Sequence, residues 1–228
     1  MPCPKRQHEK KERTILGIVF AGGEGPEPDS LRCLFASLES KALTAAADSG
    51  LHLAEAAGLQ PDLIVGDMDS LDNEARLAKY PSENIIRYPS DKDYSDTELA
   101  FSLLQEKGCS DIWIVGGGGG RIDHLFGIRD MFERHDFPCR WITANEDTRC
   151  VVEGRSLVVD TEPGNLVSVF LLGEGPWKAQ SQGLKWPLDD VCWVRGTYGL
   201  SNRSLVEKIT ITAVQGRFLV VLLGKSTS

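Results

Sequence analysis

The chain has 228 residues, 41% hydrophobic and 25% charged, enough apolar material for one large core or two small ones, which excludes general disorder. Its net charge of −8 argues against a surface that holds nucleic acid or an anionic membrane by bulk electrostatics. No window approaches 18 uninterrupted apolar residues and no cleavage site follows the basic start, so a soluble, cytoplasmic protein is expected.

Residues 1–14 hold five basic and two acidic side chains, net +3, leaving −11 in the remainder. With no apolar periodicity, they read as a flexible basic tail. From Ile15, short apolar runs alternate with helical stretches: ILGIVF, a helix around Leu31 to Glu39, ALTAAA, a helix around Leu51 to Ala57, DLIVG, and a helix after Ser70. NIIRY, a helix from Asp96 to Lys107, DIWIV, a helix from about Ile122 to Arg134 and CRWITA follow. Apolar runs without strict alternation, separated by helices, are the pattern of strands buried on both faces of a parallel sheet. Past Asn145 the helices stop and the chain reads as strands: TRCVVE, SLVVD, NLVSVFLL, VCWVRG, VEKITITAV and RFLVVLLG. The expected architecture is an α/β domain over 15–145, with a mostly parallel, Rossmann-like sheet, followed by an all-β sandwich domain over 146–228.

In an open α/β sheet, ligands bind beyond the carboxyl ends of the strands, and here those ends are rich in glycine and carboxylate. AGGEG follows the first strand, ADSG with Asp48 the second, and GDMDS with Asp67 and Asp69 the third. PSDKDYSD, with Lys92, Asp93 and Asp96, follows the fourth, and GGGGGRIDH, with Arg121 and Asp123, the fifth. Asp67 and Asp69 can turn toward one hard cation with oxygen preference such as Mg²⁺, although Asp and Ser also serve turns and helix starts. Ser95 and Glu98 form a capping-box pattern, and Asp96 in that first turn also suits the helix dipole. The three carboxylates on one sheet edge repel one another unless a cation sits among them. Gly116 to Gly120 with Arg121 suit close approach of backbone and a guanidinium fork to phosphate. Lys92 reads either as a solvated loop lysine or as a phosphate-contacting charge.

Gly224-Lys225-Ser226 lacks both the earlier glycine and the following helix of a P-loop, and AGGEG is not GxGxxG. The six cysteines and four histidines show no transition-metal spacing, and the cysteines are expected to be small buried hydrophobes. Trp113 and Trp141 fall in core strands. Trp186, before a proline, is a candidate exposed aromatic platform, with packing against the sandwich as the alternative.

Taken together, ADSG, PD, GDMDSL, SDKDYSDTELA, GGGGGRIDH, GLKWPL and GLSN resemble, in order and spacing, the signatures of the thiamine pyrophosphokinase family. The resemblance implies transfer of a pyrophosphoryl group from ATP to the hydroxyethyl oxygen of thiamine. It makes Asp67, Asp69 and Asp96 the Mg²⁺-associated carboxylates, with Asp48 close by, and Asp69, Asp96 and Arg121 the catalytic set. Lys92 and Arg121 would contact phosphate, while Asp93 and Asp123 would order the site. Trp186, Ser201 and Asn202 would meet thiamine, across a homodimer interface. Ser49 replaces a glycine of the family pattern, Ser95 a threonine, and Ile128 an asparagine. A related pyrophosphokinase acting on another hydroxymethyl acceptor such as a pterin, or a non-catalytic binding sensor, is the alternative.

Overall fold

The computed structural model describes residues 15–69 and 74–223, so the basic segment 1–14 and Gly224-Lys225-Ser226 lie outside the described residues. The first half alternates β1 (Ile15–Ala21), α1 (Pro28–Ala36), β2 (Leu43–Ala47), α2 (Gly50–Ala56), β3 (Leu63–Gly66), α3 (Glu74–Leu77), β4 (Ile85–Arg87), α4 (Asp96–Glu106), β5 (Cys109–Gly116), α5 (Ile122–Met131) and β6 (Arg140–Ile142). Strands β7 (Glu146–Val151), β8 (Ser156–Asp160), β9 (Leu166–Leu172), β10 (Lys178–Gln182), β11 (Tyr198–Arg203), β12 (Lys208–Gln215) and β13 (Arg217–Leu223) complete it. No helix among the described residues is long and apolar enough to cross a membrane.

The strands β1 to β6 are mutually parallel, in the order β6-β5-β1-β2-β3-β4. Both faces are buried. Val19 and Ala21 of β1 pack with Ala100, Phe101 and Leu104 of α4 and with Ile128 and Met131 of α5. Ile18 and Phe20 of the same strand pack with Leu31 of α1 and Leu51 and Ala54 of α2. This two-sided burial is why the strands read as continuous apolar runs.

The last α-helix is α5; β6 is followed by β7, which pairs antiparallel with it. The sheet itself does not stop. It continues through β7, β13, β9 and β11 into ten strands. Along β13, Leu219 joins the core beneath α4 and α5, while Phe218 and Val220 face a three-stranded sheet, β10-β12-β8. The sandwich is thus built on an extension of the parallel sheet.

Three expectations need correction. VCWVRG forms no strand; Trp193 instead inserts into the sandwich core, its indole N–H donating to the Leu188 carbonyl at 3.2 Å. Strand β10 has the sequence KAQSQ, in which only Ala179 is buried, so hydrophobic alternation could not reveal it. Cys33 and Cys192 are exposed rather than buried.

The helical layer (α1, α2) and the three-stranded sheet lie on the same face of the long sheet and leave β6 and β7 uncovered between them. The result is a groove of about 800 Å³ with Arg140, Asp147 and Arg149 on its floor. Arg140 and Arg149 are directly opposed in the strand pair, a like-charge juxtaposition. Asp147 resolves it, accepting from Arg140 at 2.8 and 2.7 Å and from Arg149 Nη2 at 2.8 Å. Burial alone would raise the Asp147 carboxyl, but the hydrogen bonds from Arg140 and then Arg149 outweigh it and hold it below the ordinary carboxylate value. Asp147→Asn is expected to cost about 2–3 kcal/mol at neutral pH, because two guanidiniums lose their shared anion. Because the folded value is depressed, the stabilisation is complete above about pH 4 and is lost as pH falls through the folded value. Urea denaturation of both proteins at pH 7 and pH 3 should show the gap narrowing at the lower pH.

Candidate active site

Strand order reverses between β1 and β5, and crevices that bind ligands form at such switch points. The glycine-rich loops after these two strands are joined there: Glu24 N–H donates to Gly118 O at 2.7 Å and Gly118 N–H to Glu24 O at 2.8 Å. Gly116 must be glycine, since a Cβ would lie 2.3 Å from the Ala21 carbonyl oxygen.

Next to this crevice, Asp48 leaves β2, Asp67 leaves β3 and Asp96 opens α4. One carboxylate oxygen from each lies within 4.8 Å of the others. Local backbone creates this approach. Asp48 and Met68 both adopt left-handed conformations (φ 46° and 67°), an uncommon choice for residues with side chains. The Asp48 N–H donates to the Val65 carbonyl at 2.8 Å, tying the β2 exit to β3. At Gly66, a Cβ would sit 3.2 Å from the Asp96 carboxyl carbon and 3.3 Å from Asp48 Cβ, so the missing side chain makes room for the carboxylates. Asp96 is aimed by its helix start, where Ser95 Oγ accepts from Glu98 N–H at 3.3 Å and Glu98 accepts from Ser95 N–H at 2.9 Å. Arg134 pairs with Glu98 and anchors this turn to the chain after α5.

Lys92 packs against the cluster, 3.2 Å from Asp96 and 3.8 Å from Asp67. Three carboxylates against one ammonium leave local negative charge. The Asp69 N–H donates to Asp67 at 3.1 Å and is the main influence holding the Asp67 carboxyl below its ordinary value. Burial pushes the Asp96 carboxyl up; Lys92 opposes this, and Asp48 and Asp67 add to it. Asp48 Oδ1 is buried without a hydrogen-bond partner. An unpaired buried carboxylate oxygen is costly unless something else completes it, and an all-oxygen donor set suits a hard divalent cation.

The expected residues fall into four groups. Asp48, Asp67, Asp96 and Lys92 come together. Asp69 and Asp93 are exposed beside them. Arg121, at the N-cap of α5, and Asp123 form a solvent-exposed pair at 2.5 Å, each holding the other in its charged form. Sequence reasoning placed Asp48 only near the metal residues, whereas it shares the cluster with Asp67 and Asp96; its carboxylate gave no signal beyond the ADSG turn. Ser49, the departure from the family pattern, packs against Gly22, where a Cβ would meet its hydroxyl at 2.2 Å.

Trp186, Ser201 and Asn202 lie elsewhere. Trp186 is 52% exposed and Ser201, also exposed, is left-handed (φ 56°) on β11. Asn202 is buried, with its amide spent on backbone: Nδ2 donates to Trp186 O at 2.6 Å and Oδ1 accepts from Trp186 N–H at 3.1 Å. It positions Trp186. Strand β11 stands seven strands from β2, so at about 4.8 Å per strand roughly 30 Å separates this group from the carboxylates of the same chain.

Residues 35–138, which include every member of the carboxylate cluster, match the family model for the thiamin pyrophosphokinase catalytic domain. The chain resembles the thiamine pyrophosphokinase family in sequence and in fold. Thiamine pyrophosphokinase of Bacillus subtilis is 25% identical over 211 residues, covering 90% of this chain and 97% of that protein. Its crystal structure superposes with a TM-score of 0.74 at 22% identity, over 92% of this chain and 99% of that one. Thiamin pyrophosphokinase from Geobacillus thermodenitrificans gives 0.70 at 24% identity (94% and 99% covered), and that from Candida albicans 0.66 at 17% (92% and 90%). These structures fix the fold. The family match begins at the end of α1 and ends before β6, so β1 and its glycine-rich exit, as well as Trp186, Ser201 and Asn202, stand outside it.

Proposed function

We propose that this chain is a Mg²⁺-dependent thiamine pyrophosphokinase, converting ATP and thiamine to AMP and thiamine diphosphate. The observation that carries the reading is the carboxylate cluster of Asp48, Asp67 and Asp96, all three within the segment that matches the catalytic-domain model, beside two glycine-rich strand exits. Those three residues would hold Mg²⁺, which when bound neutralises charge on the phosphate oxygens. Lys92, already among the carboxylates, supplies a point charge to the polyphosphate, and the exposed Arg121 supplies a guanidinium fork oriented by Asp123. In the transfer, the thiamine hydroxyl oxygen bonds to the β-phosphorus as the bond from that phosphorus to the α-bridging oxygen breaks, and AMP leaves. Asp69, exposed at the rim and tied to Asp67 through its backbone, would take the hydroxyl proton. Positioning and charge neutralisation account for most of such a reaction.

The acceptor side requires a second copy of the chain. Across roughly 30 Å, a single chain cannot present Trp186 and its carboxylates to one small molecule. Two exposed apolar sets support a pairing that joins them: Tyr94, Ile122 and Phe126 on the α/β side, and Trp186, Tyr198 and Leu200 at the β11 edge.

Product analysis tests the reaction. Incubation with ATP, Mg²⁺ and thiamine should release AMP, and release of ADP would overturn the pyrophosphoryl assignment. Mixing tests the shared site. Asp67→Asn and Trp186→Leu chains, each impaired alone, should on co-assembly regain about a quarter of normal activity, because mixed dimers carry one intact site. Activity that stays at the parental level excludes a site built from two chains.

A further inference from the structure

The Trp186 indole is an exposed ring on an immobilised backbone. Asn202 bonds both the N–H and the carbonyl of Trp186, Lys185 N–H donates to Arg203 O at 2.8 Å, and Leu184 bridges to Ser204. A ring held this way at half exposure is a prepared π-surface, and its face is already in use. The Lys185 ammonium sits 4.6 Å from the ring centroid, within cation–π range. Among the described residues no carboxylate forms an ion pair with Lys185, so the ring face is the partner of its charge.

We propose that Lys185 is a tethered competitor for the face of Trp186: its ammonium occupies the seat that a cationic heteroaromatic ring takes on binding. The inference rests on the reading that Trp186 receives thiamine, whose thiazolium carries such a charge. It adds an affinity threshold that any ring taking this face must overcome. A cationic ring recovers on the indole what Lys185 gives up on leaving, and Lys185 gains full hydration. A neutral ring displaces the ammonium without an equivalent electrostatic return. Lys185 is a positioning residue, acting on the ligand through Trp186.

Equilibrium binding of thiamine alone, without nucleotide, tests this by titration calorimetry on the full chain. Lys185→Gln should tighten thiamine about threefold, since an exposed cation–π contact is a modest competitor. The neutral hydroxyethyl-methylthiazole should gain by a similar factor, since it displaces the same ammonium. Lys185→Arg separates occupancy from simple repulsion: it keeps the charge but stacks better, and should weaken thiamine about twofold. Unchanged thiamine affinity in Lys185→Gln, or an arginine variant indistinguishable from the original, overturns the proposal. Trp186→Leu marks the other failure: if it leaves thiamine binding unaffected, the platform reading itself is wrong, whatever Lys185 does.

Discussion

Asp67→Asn should lower the rate of AMP formation at least about 100-fold and leave the fold intact, the scale expected when one charged group of a preorganised electrostatic site is removed. The substitution preserves shape. The new amide oxygen can still accept the Asp69 N–H now 3.1 Å from Asp67 Oδ1, and Lys92 keeps its shorter contact to Asp96. What disappears is one of three negative charges whose oxygens lie within 4.8 Å, so the apo protein is expected to be no less stable. The second readout is the rise in Tm on adding Mg²⁺, which ligand linkage requires of a protein that binds the ion when folded. Asp67→Asn should lose that rise. Asp69→Asn should lose activity but keep it, since Asp69 stands outside the three-carboxylate cluster. Near-normal turnover in Asp67→Asn would mean that the cluster is turn chemistry alone.

The parts of the molecule legible in the sequence are those where one physical rule dominates. Strands β1, β2, β3 and β5 are buried on both faces, and their uninterrupted apolar runs say so. The Ser95 capping box fixes the start of α4 to the residue, and with it the place of Asp96. Strands β10 and β11 were not legible because they sit at or near sheet margins, where backbone pairing rather than side-chain burial holds them. The continuity of the sheet through β6 and β7 was hidden for a related reason. Their floor residues face a groove, so Arg140, Asp147 and Arg149 stand where aliphatic residues would have marked a shared core. At the site, the residue types were readable but the roles were not. Asn202 reads as a ligand-contacting amide within GLSN, yet its hydrogen bonds go to Trp186, a tertiary contact 16 residues away that no local pattern encodes.

Gly50→Ala should be among the most damaging single changes outside the carboxylates, costing about 3 kcal/mol of stability, the upper end of what overpacking a rigid interior costs. Gly50 opens α2 and is buried against β1; a Cβ there would lie 2.1 Å from the Phe20 carbonyl oxygen and 2.6 Å from its carbon. Both are backbone atoms of a central strand, so no side-chain rotation relieves the clash and α2 must move away. That displacement would carry Asp48, two residues earlier, out of the carboxylate cluster, so activity should fall with stability. Gly58→Ala provides the contrast. Gly58 has φ +73° but open space around its added Cβ, and the substitution should cost only the backbone strain of about 1 kcal/mol. For a chain of this length about 1 kcal/mol corresponds to about 2–4 °C in Tm. Thermal unfolding should therefore show a drop on the order of 10 °C for Gly50→Ala and a few degrees for Gly58→Ala. Equal, small shifts in both would mean that α2 is free to slide on the sheet, and that the position of Asp48 is set by something other than this contact.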